Sequence, residues 1–310
     1  MLKKMGIYRG INLGGWLSQC DYSDERLNEF IKEEDFATIA SWKLDHVRIP
    51  VDYNVLDDGR GYEKLDFAVE MCRKYGLKMV LDLHKTAGFS FDKEHGESGF
   101  FDSESYQERF YALWDTLARR YGSLTDLMVF ELLNEVTEPR FIDTWNRISN
   151  ECIRRIRAIA PDMIILVGSY WNNSASAVKD LDAPADDKVI YNFHCYEPIA
   201  FTHQGAYWVE SLPRDARVSF EESGATEAYF ENLFASAIEK ANSHNTPLYC
   251  GEYGVIDIAT PEDTVKWLKT INAVLDKHGI ARALWSYKQM DFGASDARMD
   301  GVRDEMLKYL

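Results

Sequence analysis

Leu127-Met128-Val129-Phe130-Glu131-Leu132-Leu133-Asn134-Glu135 is the stretch from which the fold is read. Apolar side chains fill it almost without interruption, so neither face of such a strand can look at water. That is the signature of a parallel sheet covered by helices on the outside. The run then ends on two polar side chains, Asn134 and Glu135, at what would be the strand's C-terminal end. Working outward, runs of the same kind predict strands over Tyr8–Leu13, His46–Val51, Lys78–His84, Leu127–Glu135, Met163–Ser169, Val189–Tyr196, Pro247–Tyr253 and Arg282–Tyr287.

Amphipathic segments lie between these runs. Phe110, Leu113, Trp114, Leu117 and Tyr121 recur at helical spacing and stop at Gly122, and Leu65, Val69, Cys72 and Tyr75 stop at Gly76. Eight strand-helix units predict a single-domain (β/α)8 TIM barrel spanning residues 1–310. An open doubly wound sheet is the rival fold, but no Gly-x-Gly-x-x-Gly turn follows the first strand. Two connections, Lys85–Ser103 and Glu197–Thr226, are too long for simple turns. Both follow strands and so belong to the face where barrels carry their active sites. Their aromatic residues (Phe89, Phe91, Phe100 and Phe101; Phe201, Tyr207 and Trp208) are candidate walls of a cleft, or a satellite cluster packed beneath the loops.

Composition narrows the function. The 310 residues carry 35 Lys and Arg against 51 Asp and Glu, a formal charge of −16. That balance argues against nucleic-acid and anionic-membrane partners and is compatible with a neutral polymer. No apolar run reaches membrane-spanning length. The first residues contain no apolar core of signal-peptide length, which predicts either a cytoplasmic protein or one shown without its leader. A monomer is expected. The five cysteines (Cys20, Cys72, Cys152, Cys195 and Cys250) are widely spaced and read as small buried hydrophobes, without a disulfide framework or a zinc site.

The C-terminal ends of the predicted strands carry Asn12, Arg48, His84, Asn134 with Glu135, His194 with Tyr196, Glu252, and Trp285. Polar groups are costly to bury without partners, and a barrel would bring these together from seven different strands. Taken singly, each has a plain explanation: a satisfied core histidine, or an internal Arg48–Glu131 ion pair. The conjunction points to a site. Two facing carboxylates are the minimum for cleaving a glycosidic bond, and an arginine beside one would keep it ionised while the other holds a proton. Side-chain alternation places His194 and Tyr196 in the mouth and Cys195 toward the helices, and predicts Cys250 one layer below Glu252. Asn134 and Glu135 are consecutive and cannot both point inward, so a bulge or the strand's end is expected there.

This set resembles glycoside hydrolase family five, the cellulase family, from Arg9-Gly-Ile-Asn-Leu-Gly-Gly-Trp16 to Leu284-Trp-Ser-Tyr-Lys-Gln-Met-Asp-Phe292. The resemblance implies Glu135 as acid/base and Glu252 as nucleophile. It also implies Arg48, His84, Asn134, His194, Tyr196 and Trp285 as substrate-binding residues, to which the strand-end reading adds Asn12 and the loop aromatics add Trp208. It further implies a retaining endo-β-1,4-glucanase acting on β-glucan polysaccharide or oligosaccharide, with no metal or organic cofactor and with carboxyl groups about 5–5.5 Å apart. Val136 and Lys85 depart from the pattern, standing where many relatives have proline and a second histidine. A mannanase, a mixed-linkage or xyloglucan glucanase, an exo-β-1,3-glucanase and a non-catalytic carbohydrate-binding barrel are the alternatives.

Overall fold

Eight short parallel strands close on themselves in the computed structural model, which describes residues 2–91 and 96–310. They are β1 Arg9–Asn12, β2 His46–Asp52, β3 Lys78–Lys85, β4 Met128–Glu131, β5 Ile165–Val167, β6 Val189–Cys195, β7 Leu248–Tyr253 and β8 Ala281–Leu284. Each pairs with its sequence neighbour, and β8 returns to β1. Helices Glu33–Ser41, Arg60–Tyr75, Glu104–Tyr121, Ile142–Ile159, Glu227–Ser243 and Pro261–Lys277 cover the outside. Their ends follow local chemistry. Ser103, Thr226 and Thr260 accept backbone N–H groups at the starts of three, and Gly76 closes another at φ 71°.

The fifth unit departs from the regular alternation. In place of a long helix, β5 and β6 are joined by a left-handed turn and a 3-10 stretch, Ala175–Asp180. Ser174 to Leu181 leaves little room before Pro184, which cannot continue a helix.

Alternation along the strands sorts the core into two shells. Val80, Val129, Leu166, Ile190, Tyr249, Ala281 and Ala283 form a compact cluster inside the barrel. Their strand neighbours Met79, Leu81, Met128, Phe130, Ile165, Tyr191 and Phe193 join the larger cluster shared with the helices. Above the apolar layer the interior turns polar, with Asn12, Arg48, Asp82, Glu131 and Asn192 all fully buried.

One sequence expectation is corrected here. Cys250 packs among the residues facing the helices, and Tyr249 takes the inner position. The cause is a bulge: Phe193 pairs with Cys250 but His194 pairs with Glu252, so Gly251 is an extra residue that resets the alternation. A side chain at Gly251 would put its Cβ 2.8 Å from Asn192 Oδ1 and 3.0 Å from His194 Nε2, so only glycine allows the strand to bulge there. In the β3 loop the structure decides between the two readings open to the aromatics. Phe89, Phe100 and Phe101 are buried, with Phe101 stacked on Phe141 at 4.3 Å, so they form a satellite cluster beneath the loop. Phe201 is buried as well, while Tyr207 and Trp208 are exposed.

β4 stops pairing at Glu131, and Glu135 has φ 42°, so the expected end of the strand comes just before the Asn134-Glu135 pair. The five cysteines are free, four of them buried. Among the described residues no helix is long and apolar enough to cross a membrane.

The bulge gives a direct test. Gly251→Ala should lower stability by ~1–3 kcal/mol, the usual range for overpacking a filled interior. Chemical denaturation of the variant beside the parent chain measures it.

Candidate active site

Arg48 occupies the middle of the polar layer with no exposed surface. Its Nε and Nη2 donate to the two oxygens of Glu131 at 2.7 and 2.8 Å. Nη1 donates to Asn12 Oδ1 at 2.9 Å and to Glu252 Oε1 at 2.7 Å, and Nη2 also reaches Asn134 Oδ1 at 2.9 Å. All five guanidinium N–H groups are therefore engaged, and Asp82 adds an ion pair at 3.0 Å.

Glu252 is gripped from two sides, since Tyr196 donates its hydroxyl to Oε2 at 2.8 Å. Burial by itself would raise the Glu252 pKa. The positive charges of His194 and Arg48 and the Tyr196 hydrogen bond outweigh it and bring the carboxyl down to about 2. A charge on His84 would act the same way, but burial lowers that ring's own pKa. Asp82 and Glu131 show the opposite balance. Burial raises both despite Arg48, Asp82 to about 7. His194 and Arg48 together thus hold Glu252 ionised, while two neighbouring carboxyls are pushed toward their neutral forms.

Glu135 stands apart from Arg48. Its Oε1 meets His194 Nδ1 at 2.8 Å, and its Oε2 accepts the Asn172 side-chain amide at 2.9 Å. His194 lies between the two glutamates, with Nδ1 3.7 Å from Glu252 Oε2. Burial opposes a charged imidazole here, but Glu252 and Glu135 outweigh it and the His194 pKa is raised. One carboxylate oxygen from each glutamate and one His194 ring nitrogen lie within 4.8 Å of one another. These are donor types of a metal site, but Arg48 and a readily protonated imidazole already supply positive charge where a cation would sit.

The remaining sequence-predicted residues divide by what they have left to offer. Among the described residues Asn134 Nδ2 and His84 Nε2 are buried without a hydrogen-bond partner, so both present an unused polar atom next to the carboxylates. His84 Nδ1 meets Asp82 Oδ2 at 2.7 Å, a contact that orients the ring and occupies one of its two nitrogens. Trp285 lies parallel to the His84 ring, with centroids 5.9 Å apart, and is 6% exposed. Trp208 is 38% exposed on the rim, edge-on to Tyr207. Asn12 is a correction. Its amide is engaged by the carbonyls of Gly251, Ala283 and Leu284, so it supports Arg48 and does not line the cleft. Lys85, at the position that departs from the resemblance, pairs with Glu97 at 2.8 Å.

Several participants escaped the sequence reading. Asp82 and Asn192 each lie two residues before a predicted histidine, and the same alternation that placed the histidines would have found them. Asn192 donates to Glu131 at 2.7 Å. Trp171 and Asn172 left no periodic signal, because Trp171, Asn172 and Asn173 follow one another with φ of 49°, 55° and 57°.

The sequence matches the family described as Cellulase (glycosyl hydrolase family 5) over residues 10–291. It is 61% identical to Cellodextrinase A of Ruminococcus flavefaciens, over 91% of the chain and 86% of that relative. It is 36% identical to Endoglucanase C of Acetivibrio thermocellus, over 97% of both. The fold superposes on the crystal structure of endoglucanase Cel5A from Thermotoga maritima with a TM-score of 0.83, at 27% identity, covering 99% of this chain and 97% of that one.

The charge pattern yields a prediction for Arg48→Met. Because the Glu252 pKa is depressed in the folded state, its stabilising contribution is present above the unfolded value of ~4.3. It is lost as pH falls toward about 2. Removing the cation raises that folded pKa, so the acidic limb of kcat/KM should move upward by roughly one unit or more. The carboxyls left behind should also destabilise the fold by roughly 3–5 kcal/mol. A pH–rate profile and a denaturant titration read the two effects separately.

Proposed function

Because the chain belongs to glycosyl hydrolase family 5, the cellulase family, and is thus an O-glycosyl hydrolase, we propose that it is a retaining endo-β-1,4-glucanase with Glu252 as nucleophile and Glu135 as acid/base. The observation that carries this reading is the pair of glutamates itself. Their nearest oxygens lie within 4.8 Å, each beside His194, and only Glu252 is bonded to Arg48. An inverting pair needs about 6.5–9.5 Å to admit a water, whereas a retaining pair stands near 5–5.5 Å.

The chemistry follows from the environments. Glu252, held as the anion by Arg48 and oriented by Tyr196, attacks the anomeric carbon. The bond to the leaving oxygen breaks as Glu135 passes it a proton. Glu135 then takes a proton from water, which attacks the same carbon and releases Glu252. Asn134 Nδ2 and His84 Nε2 provide an amide donor and a ring nitrogen for sugar hydroxyls, and Trp285 offers its ring beneath the sugar at the point of cleavage.

A second reading concerns chain length. The relative at 61% identity is named a cellodextrinase and the one at 36% an endoglucanase, so short soluble cello-oligosaccharides are as natural a substrate as the interior of a polymer. Digestion of cellulose, cellodextrins, mixed-linkage glucan, xyloglucan, mannan and β-1,3-glucan, followed by sizing of the products, decides both linkage and length. Cellodextrins and amorphous cellulose should be cut, with retention of the β-anomer. Products of the α-anomer would overturn the mechanism. Glu252→Gln should abolish turnover while cello-oligosaccharide binding, followed by calorimetry, persists. Normal hydrolysis by that variant would reassign the nucleophile.

A further inference from the structure

The turn that joins β5 to β6 has an unusual backbone. Trp171, Asn172 and Asn173 are consecutive and all left-handed. Such a conformation costs a non-glycine residue roughly 1–2 kcal/mol, least for asparagine. Strain of this kind persists only where the surroundings hold it, and it clusters at functional sites.

Here the surroundings are those of Glu135. The Asn172 backbone N–H donates to the carbonyl of Val136 at 3.0 Å, and its side-chain amide donates to Glu135 Oε2 at 2.9 Å. Glu135 is itself left-handed at φ 42°. Two strained segments are therefore laced together one residue apart. Asn173 turns inward to His194 Nε2 at 3.4 Å, and a Cβ on Gly168 would come within 2.3 Å of Asn173 Oδ1. The left-handed run lets two adjacent asparagines address the site while Trp171, 57% exposed, faces out.

We infer that Asn172 is a positioning residue for the acid/base, holding the Glu135 carboxyl in orientation and stabilising the charge it gains as it gives up its proton. This rests on the role proposed for Glu135 above. With His194 on Oε1 and Asn172 on Oε2, negative charge left on either oxygen meets a donor. Such a contact strengthens as the proton leaves, so it lowers the barrier more than it tightens binding. The other charged and titratable groups around Glu135 come from different elements: Asp82 and His84 from β3, His194 and Tyr196 from β6 and its end, and Glu252 from β7. Asn172 contributes an uncharged donor from the β5–β6 turn.

The test is a series of aryl cellobiosides whose leaving groups differ in acidity, compared by kcat/KM. Asn172→Gly keeps the left-handed backbone and deletes only the amide. It should lose about tenfold on phenyl cellobioside and less than about twofold on the dinitrophenyl compound, whose departure needs no proton. The dependence on leaving-group acidity should steepen. The basic limb of the pH profile should move upward, because the carboxylate has lost a donor. Asn172→Asp preserves the shape, places a second carboxyl against Oε2, and should move that limb further in the same direction.

Equal losses across the series with an unmoved pH profile would mean a merely structural role and overturn the inference. Unchanged kinetics would do the same. Glu135→Ala separates the two layers of the argument. If it shows no dependence on leaving group, the acid/base assignment itself falls. If it does and Asn172→Gly does not, only the role of Asn172 falls.

Discussion

Everything in the mouth of this barrel is arranged around one guanidinium that water never reaches. Arg48 comes from β2, yet its five N–H groups end on residues that originate at β1, β4, the segment after β4, and β7. No other side chain could do this. A lysine offers three donors on a point charge, whereas the planar fork reaches both oxygens of Glu131 and still has three N–H groups left for Glu252 and the two asparagines. A buried cation of this kind is weak support for stability, because desolvation consumes most of the attraction. Its value lies in fixing where negative charge resides.

That point explains how carboxyls within one small volume come to differ. Asp82, Glu131 and Glu252 all contact Arg48 and all are buried, yet the first two are pushed up and Glu252 is held down. Glu252 has in addition the raised His194 beside it and the Tyr196 hydroxyl upon it. Glu135 is reached by His194 and Asn172 and by no arginine among the described residues. A pair of chemically identical side chains is thereby divided into one that is poised as an anion and one whose neighbours can answer to a changing charge, which is what acid/base and nucleophile require.

Much of this was legible in advance. Strand polarity, closure and the residues at the strand ends follow from hydrophobic runs and alternation, because those signals are local and repeat with the backbone. The reading failed where the backbone breaks its period. One glycine at position 251 moved Cys250 to the outer shell and Tyr249 to the inner one. Asn12, placed at a strand end beside the site, proved to be a support for Arg48, since nothing in its own sequence tells whether an amide faces carbonyls or a cleft. The loop phenylalanines share this ambiguity, and packing against Phe110 and Phe141 resolved it.

The sequence by itself determined that eight strands would close in parallel and that Glu135 and Glu252 would meet at one end of them. Both depend on patterns that each segment carries alone. Only the tertiary structure decided which carboxyl is held as an anion, which asparagines serve the site, and that a strained turn after β5 would rest against Glu135. Those outcomes depend on distances between groups far apart in the chain, and on the exclusion of water that gives each contact its strength, and neither exists until the barrel has closed.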